Sequence, residues 1–280
     1  MRAIVTGLIY GILEGLTEWL PVSSTGHLIL LRSVLPPVDD AFFALFEVVV
    51  QTAAMLAVLL LYFDRLWPFA RVKTGADGAK NGAFAVRRDV LRLWGRILLA
   101  ALPAAVVGFL LDDLLERYLF QVPVVAAMLI SYGVLFLLPV RRPAAVRDLA
   151  DISPRRAAGV GAFQVLSLVP GTSRSGATIL GGLFAGLDRP TAATFSFFLG
   201  VPVMAGAGVL RAVRYFGGGG RLSADERLIL SAGVLSAFLV SLLVLRTLTA
   251  FVRRHSFAPF GVYRILLGAA VLALYFFKRG

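Results

Sequence analysis

The sequence predicts an all-α polytopic membrane protein, and three observations support this fold class. Of the 280 residues, 59% are hydrophobic and only 16% are charged, whereas soluble domains are roughly half apolar and a quarter charged. Six uninterrupted apolar segments are each long enough to cross a bilayer. Two further apolar stretches are interrupted near the middle by a proline and a polar cluster. We therefore expect a single integral membrane domain over residues 1–280.

The six uninterrupted segments predict transmembrane helices at about 42–63, 95–115, 122–140, 193–213, 228–250 and 260–277. The interrupted stretches run over about 3–31 and 157–187. Each of them either crosses once as a kinked helix or enters the membrane and returns as a helix-loop-helix. Non-helical backbone at membrane depth is tolerated only where protein buries it or where it lines a wet cavity. Other helices must therefore cover both interruptions.

The two interrupted stretches are related to each other. GILEGLTEWLPVSSTGHLIL at 11–30 aligns with GAFQVLSLVPGTSRSGATIL at 161–180, with Gly11 on Gly161 and Glu14 on Gln164. The following spans keep an offset of about 150 residues, which indicates an internal duplication. Repeat one is expected over about 1–140 and repeat two over about 155–280.

Each repeat then holds one broken stretch and three spans. Because three is an odd number, the second copy has the inverted topology. The predicted fold is therefore two inverted-topology repeats with six transmembrane helices and two re-entrant helix-loop-helix hairpins. Such folds place a polar site where the two breaks meet.

The charge pattern predicts an orientation in the membrane. The chain has a formal net charge of +12. In the proposed topology, segments 64–96, 141–156 and 246–254 share one side and carry most of the basic residues. The positive-inside rule puts that side in the cytoplasm and both termini outside, although Arg211, Arg214, Arg221 and Arg227 fall on the other side. Nucleic acid is not an expected partner, because no soluble basic domain is present.

The first break carries two carboxylates and a run of hydroxyls. Glu14 and Glu18 are four residues apart and share one helix face. Burying a carboxylate in a span costs at least ~2.5 kcal/mol, so both are functional candidates; the alternative is a helix lying at the interface with both groups in water. After Pro21 come Ser23, Ser24, Thr25 and then His27. One hydroxyl can cap the resumed helix, but capping does not require three hydroxyls and a histidine. In the first helical turn, His27 is expected to be neutral and able to accept a proton.

The second break predicts an anion site. Arg174 lies at the start of the resumed helix between Ser173 and Ser175, with Thr178 one turn later. A guanidinium, hydroxyls and free backbone N–H groups at a helix N-terminus suit phosphate best. The alternative is an arginine that only neutralises Glu14 or Glu18, and both roles are compatible. Three further residues are expected to support the site: Glu47, Gln51 and Gln164.

Together the breaks bring a hydroxyl nucleophile, a histidine, two carboxylates and an arginine to one place. That inventory is typical of phosphoryl transfer. The carboxylates could bind a divalent cation through oxygen ligands, or they could set the charge of Arg174 and His27. The sequence leaves both readings open.

The motifs LEGLTEWLPVSSTGH and LVPGTSRSGAT resemble the paired signatures of the bacterial undecaprenyl-diphosphate phosphatases, the bacitracin-resistance family. The resemblance implies an inner-membrane hydrolase that removes the terminal phosphate of a C55 isoprenyl diphosphate on the periplasmic side and recycles the lipid carrier for peptidoglycan synthesis. It also implies a divalent cation, Mg or Ca, for which Glu14 and Glu18 are the expected ligands. Ser24 matches the family's proposed nucleophile and His27 the motif's histidine, while the matches to its phosphate-binding motif are Ser173, Arg174 and Thr178.

The nucleophile is Ser24, His27 or an activated water, and Ser23, Thr25 and Ser175 are expected to add phosphate contacts. The expected partners are the polyprenyl diphosphate and the bilayer, with a homodimer left open. The rival function is a transporter or flippase for a lipid phosphate, because inverted repeats with broken helices are typical of transporters. A pure carrier needs the arginine but not a serine, a histidine and an acidic pair together.

Overall fold

Helices make up most of the described residues in the computed structural model, which describes residues 1–71, 84–138 and 144–278. One short antiparallel hairpin pairs β1 (Phe69–Arg71) with β2 (Phe84–Val86). The helices are α1 Arg2–Thr17, α2 Ser24–Arg32, α3 Asp40–Leu61, α4 Phe63–Leu66, α5 Arg88–Leu119, α6 Val122–Leu137, α7 Pro154–Val165, α8 Arg174–Phe184, α9 Arg189–Gly217, α10 Ala224–Arg254 and α11 Ala258–Phe277.

Five of these helices are long and apolar enough to cross a membrane, namely α3, α5, α9, α10 and α11. They match five of the six predicted spans, so the chain is an all-α multi-pass membrane protein. The sixth prediction, 122–140, corresponds to α6, an apolar helix of 16 residues; its last two predicted residues lie outside the described part of the chain. At 1.5 Å per residue α6 is about 24 Å long, shorter than the ~30 Å hydrocarbon core.

Both interrupted stretches fold back on themselves instead of continuing as kinked helices. In the second stretch, Arg156 near the start of α7 donates from Nε to the carbonyl oxygen of Ala185, just after α8, at 3.1 Å. In the first, the guanidinium of Arg32 at the end of α2 lies 4.3 Å above the ring of Phe43, which meets Tyr10 of α1 edge-on. The end of each second helix therefore lies beside the first helix of its pair.

The helices pack in matched pairs. Helix α1 packs along α10 and α7 along α5, while α3 contacts α9 and α6 contacts α11. Small residues permit close approach at two equivalent points, because a Cβ on Gly11 would collide with Gly233 and one on Gly161 would collide with Ala100. The first helix of each interrupted stretch, α1 or α7, is therefore held close to the backbone of its neighbouring helix at a glycine.

Candidate functional site

The loops of the two breaks are bonded directly to each other. Arg174, the first residue of α8, donates from Nη2 to Oε1 of Glu18 at 3.0 Å. The hydroxyl of Ser175 lies 3.1 Å from the backbone carbonyl oxygens of both Glu18 and Leu20. The structure therefore brings Glu18 and Arg174 together across 156 positions of sequence.

Each second helix begins at a serine with a left-handed backbone. Among the described residues, Ser23 (φ 68°) and Ser173 (φ 71°) are the two non-glycine residues with positive φ. Left-handed backbone is uncommon for side chains other than glycine and often marks functional loops. Ser173 caps α8 through the N–H of Gly176 at 3.1 Å, whereas Ser23 makes no such cap within the described chain. The two turns stand at equivalent positions of the aligned stretches.

A cavity of about 190 Å³ lies beside the contact between the breaks. Its walls come from both breaks and from α3 and α9. Seven of the residues predicted for the site line it: Glu18, Ser23, Ser24, Thr25, Gln51, Ser173 and Arg174. Hydroxyls and the guanidinium thus share one small polar space.

The guanidinium of Arg174 is held from several directions. Its Nη1 donates to the carbonyl oxygen of Ser196 at 3.0 Å, opposite the bond to Glu18. The ring of Trp19 lies 5.4 Å away, within cation–π range. Gly200 faces the guanidinium so closely that a Cβ there would collide with it. Its orientation is therefore set by α9 and the first break together.

Two residues predicted to bind phosphate lie behind Arg174 and not in the cavity. Thr178 is fully buried; its hydroxyl donates to the carbonyl oxygen of Arg174 at 2.8 Å and lies 2.6 Å from the hydroxyl of Ser196. Ser175 is also fully buried and faces the carbonyls of the first break. Because α8 turns these positions toward α9 and the first break, their hydroxyls support the guanidinium and the loop.

His27 does not line the cavity either. Its Nδ1 lies 2.7 Å from the carbonyl oxygen of Ser23, and its Nε2 lies 2.6 Å from the hydroxyl of Tyr263. A carbonyl only accepts, so Nδ1 carries a proton, and in a neutral ring Nε2 accepts from Tyr263. The ring also stacks on Tyr263. His27 therefore anchors the strained turn to α11, a partner that the sequence did not indicate.

The acidic residue Glu14 is buried beside the cavity. It is 1% exposed and lies near Glu18, Glu47 and Gln51, but neither of its oxygens accepts a well-formed hydrogen bond from the described residues. Gln164, its equivalent in the second stretch, is fully buried, and both atoms of its amide are likewise without a partner in the described chain. Buried polar side-chain atoms without a hydrogen-bond partner are unusual in folded proteins.

The structure reveals a residue that sequence reasoning missed. Arg264 of α11 is fully buried and donates to five backbone carbonyl oxygens. They belong to Pro21 in the first break, to Gly171 and Thr172 in the second break, and to Met128 and Leu129 of α6, at 2.7–3.4 Å. An arginine inside an apolar span was the available signal, because ionisable residues inside membranes are functional candidates.

Comparison with known proteins identifies the family. A family model described as bacitracin resistance protein BacA matches residues 7–270, which include both breaks and the helices around the cavity. The chain belongs to the BacA family.

Relatives within the BacA family match almost end to end. Undecaprenyl-diphosphatase of Streptococcus mutans is 44% identical over 275 residues, covering 96% of this chain and 95% of that protein. Undecaprenyl-diphosphatase of Enterococcus faecalis is 42% identical over 276 residues, covering 97% of each chain. The similarity therefore extends over the entire fold and is not confined to the two motifs.

Proposed function

We propose that this protein is an undecaprenyl-diphosphatase, which hydrolyses the terminal phosphate of undecaprenyl diphosphate to give undecaprenyl phosphate and inorganic phosphate. Such a reaction recycles the lipid carrier for peptidoglycan synthesis and accounts for bacitracin resistance. The decisive observation is the Arg174–Glu18 pair at the wall of a hydroxyl-lined cavity. The relatives of that name support the proposal over the full length of the chain.

Arg174 and the N–H groups at the start of α8 bind the terminal phosphate in this proposal. A helix N-terminus and a guanidinium both favour negative charge, and they favour it more strongly where water is excluded. Ser23, Thr25 and Ser173 line the same cavity and supply further hydrogen bonds. Ser175 and Thr178 act indirectly, by holding the loop and Arg174 in place.

We assign Ser24 as the nucleophile, because among the hydroxyls that line the cavity with Arg174 it is the one that matches the family's proposed nucleophilic serine. Its Oγ bonds to the terminal phosphorus while the bond from that phosphorus to the bridging oxygen breaks, and undecaprenyl phosphate leaves with the proton of the serine hydroxyl on its departing oxygen. Water then hydrolyses the phosphoserine and releases inorganic phosphate. His27 is a positioning residue in this scheme. Its two ring nitrogens are hydrogen-bonded to the carbonyl oxygen of Ser23 and to the hydroxyl of Tyr263, and the ring does not line the cavity.

A divalent cation, Mg or Ca, fits the orphaned carboxylate of Glu14. The described residues contain no ready cluster of three acidic or histidine ligands. Mg²⁺, however, is commonly bound by one or two carboxylates together with water and substrate phosphates. Glu14 and Glu18 would hold it, with Glu47 and Gln51 in support, and it would neutralise charge on the diphosphate.

The architecture that we propose is a pair of inverted repeats, 1–140 and 155–280, each with a re-entrant hairpin. The matched packing of α1 on α10 and of α7 on α5 supports it, as do the equivalent turns at Ser23 and Ser173. We assign the arginine-rich helix ends to the cytoplasm of a bacterial inner membrane. The cavity then opens to the periplasmic side.

The function is tested by measuring the phosphate that the purified protein releases from undecaprenyl diphosphate in detergent. We expect release by the native chain and a loss of at least about 100-fold in kcat/KM in Arg174→Gln, in line with the removal of a principal charge-stabilising donor. Arg246→Gln, at an exposed position, is the matched control. Absence of hydrolysis by the folded native protein, together with transfer of lipid phosphate between leaflets of a vesicle, would favour the rival carrier function.

A further inference from the structure

A second polar cavity lies at the other end of the helices. Its volume is about 470 Å³, and the end of α3, the starts of α5 and α9 and the end of α10 contribute to its walls. Helix α3 runs from the active-site cavity at Gln51 toward this one. Tyr62, the residue that follows α3, lines it, and its hydroxyl lies 2.9 Å from the hydroxyl of Thr249 in α10. The two cavities share no lining residue.

The walls of this second cavity are positively charged. Four arginines and two aspartates line it, an excess of two positive charges: Arg65, Arg87, Arg147, Arg253, Asp89 and Asp148. The guanidinium of Arg87 already has protein partners, because it donates to the carbonyl oxygen of Asp64 and to the carboxylate of Asp89. Within residues 1–71, 84–138 and 144–278, the other three arginines form no ion pair. The N-termini of α5 and α9 add the positive ends of two helix dipoles.

A third cavity, lined by apolar residues and by Asp188, Arg189 and Arg253, adjoins the charged one. It measures about 540 Å³ and shares Pro190 and Arg253 with its neighbour. Its walls are mostly aliphatic and aromatic and include Leu180, Leu183 and Phe257. A positively charged compartment next to one lined mostly by apolar residues is complementary to an amphiphile with an anionic head and a hydrocarbon chain.

We propose that these adjoining cavities bind a lipid whose headgroup is a phosphate monoester. The phosphate lies among Arg65, Arg147 and Arg253, and the first part of the chain lies against Leu180 and Phe257. A phosphate monoester carries about −1.5 to −2 charges near pH 7, which matches the excess positive charge of the walls. Arginine also binds phosphate through paired N–H groups. Each cavity lies within the size range of ligand pockets, roughly 300–1,000 Å³.

The test measures lipid binding to the full-length protein in detergent by native mass spectrometry. The protein carries Arg174→Gln, so that the first cavity does not compete for phosphate. Three probes are compared. Phosphatidic acid is a phosphate monoester, phosphatidylglycerol with the same acyl chains is a phosphate diester, and inorganic phosphate has no acyl chain. We expect phosphatidic acid to bind most tightly of the three. We expect the double variant Arg65→Gln and Arg253→Gln to lower the affinity for phosphatidic acid at least about tenfold, which corresponds to ~1.4 kcal/mol.

Arg254→Gln is the matched control, because Arg254 is an exposed neighbour of Arg253 that does not line either cavity. With Arg174 restored, the double variant should keep native kcat/KM for undecaprenyl diphosphate, which shows that the two substitutions leave the fold intact; a cooperative thermal transition of the Arg174→Gln protein checks that the background used for binding is folded. Unchanged binding of phosphatidic acid in the double variant would overturn the proposal, as would an equal loss in Arg254→Gln. Displacement of phosphatidic acid by an equimolar amount of inorganic phosphate would contradict the role of the chain and assign the site to free phosphate.

Discussion

Arg174 and Glu18 form a nearly buried ion pair, with an Nη2–Oε1 distance of 3.0 Å and side-chain exposures of 12% and 9%. The pair joins the two breaks and aims the guanidinium along the cavity wall. Removing one partner of a buried pair is costly, about 3–5 kcal/mol, because the other charge is left unpaired. The pair is therefore important for both the fold and the proposed chemistry.

Glu18→Gln removes the charge of this pair while keeping an oxygen that can accept from Arg174. We expect kcat/KM for undecaprenyl diphosphate to fall by about tenfold or more and the melting temperature to fall, because a charged hydrogen bond becomes a neutral one. Phosphate release and thermal unfolding of the purified protein measure the two effects. Asp225→Asn, at an exposed position in the first turn of α10, is the control. Native values for Glu18→Gln would show that the charge of Glu18 contributes to neither property.

Ser24→Ala tests the nucleophile. We expect a loss of at least about 10³-fold in kcat with little change in melting temperature, because a covalent step is removed and no packing is lost. Ser167→Ala is the matched control: Ser167 lines the same cavity, but its hydroxyl donates to the carbonyl oxygen of Gln164 at 2.6 Å. Hydrolysis at the native rate by Ser24→Ala would rule out the serine and favour direct attack by water.

Gly200→Ala tests the positioning of Arg174 without altering any polar group. The added methyl group meets the guanidinium, so Arg174 must move away from its bond to Ser196. We expect kcat/KM to fall by about tenfold or more, since misplaced catalytic groups lose rate steeply. Gly206→Ala in the same helix is the control, because an added Cβ there meets no atom within 4 Å. Equal activity of the two variants would mean that the orientation of Arg174 is not rate-determining.

Chelation tests the proposed cation. We expect EDTA to abolish phosphate release and added Mg²⁺ or Ca²⁺ to restore it. We also expect Glu14→Gln to raise the cation concentration needed for half-maximal activity by about tenfold, because one charged oxygen ligand is lost. A titration of activity against free cation measures this shift. Full activity in EDTA would remove the cation from the mechanism and leave the acidic pair a purely electrostatic role.

Arg264→Met tests whether one buried arginine holds both breaks together. The carbonyl oxygens of Pro21, Gly171 and Thr172 lose their donor, and each unsatisfied buried carbonyl costs about 1–3 kcal/mol. We expect a lower melting temperature and a large loss of kcat/KM, with partial recovery of both in Arg264→Lys. A stable and active Arg264→Met protein would show that α6 and α11 position the breaks without it.

The sequence by itself determined the class of fold and the location of the polar breaks. Long apolar runs predict membrane helices because their hydrophobicity is a local property, and five of the six predicted spans correspond to helices long enough to cross. Pro21 and Pro170 interrupt the apolar pattern in the same local way. The two motifs also identified Glu18, Ser24 and Arg174 before any contact between them was known.

Only the tertiary structure decided which of the motif residues face the cavity. Thr178 and Ser175 are turned toward α9 and the first break, His27 toward Tyr263, and Arg264 enters from a distant helix. The rotation of a short half-helix depends on the helices packed around it, and the motif's own spacing does not contain that information. Neighbours along the chain were therefore predictable, whereas neighbours across the breaks were set by packing.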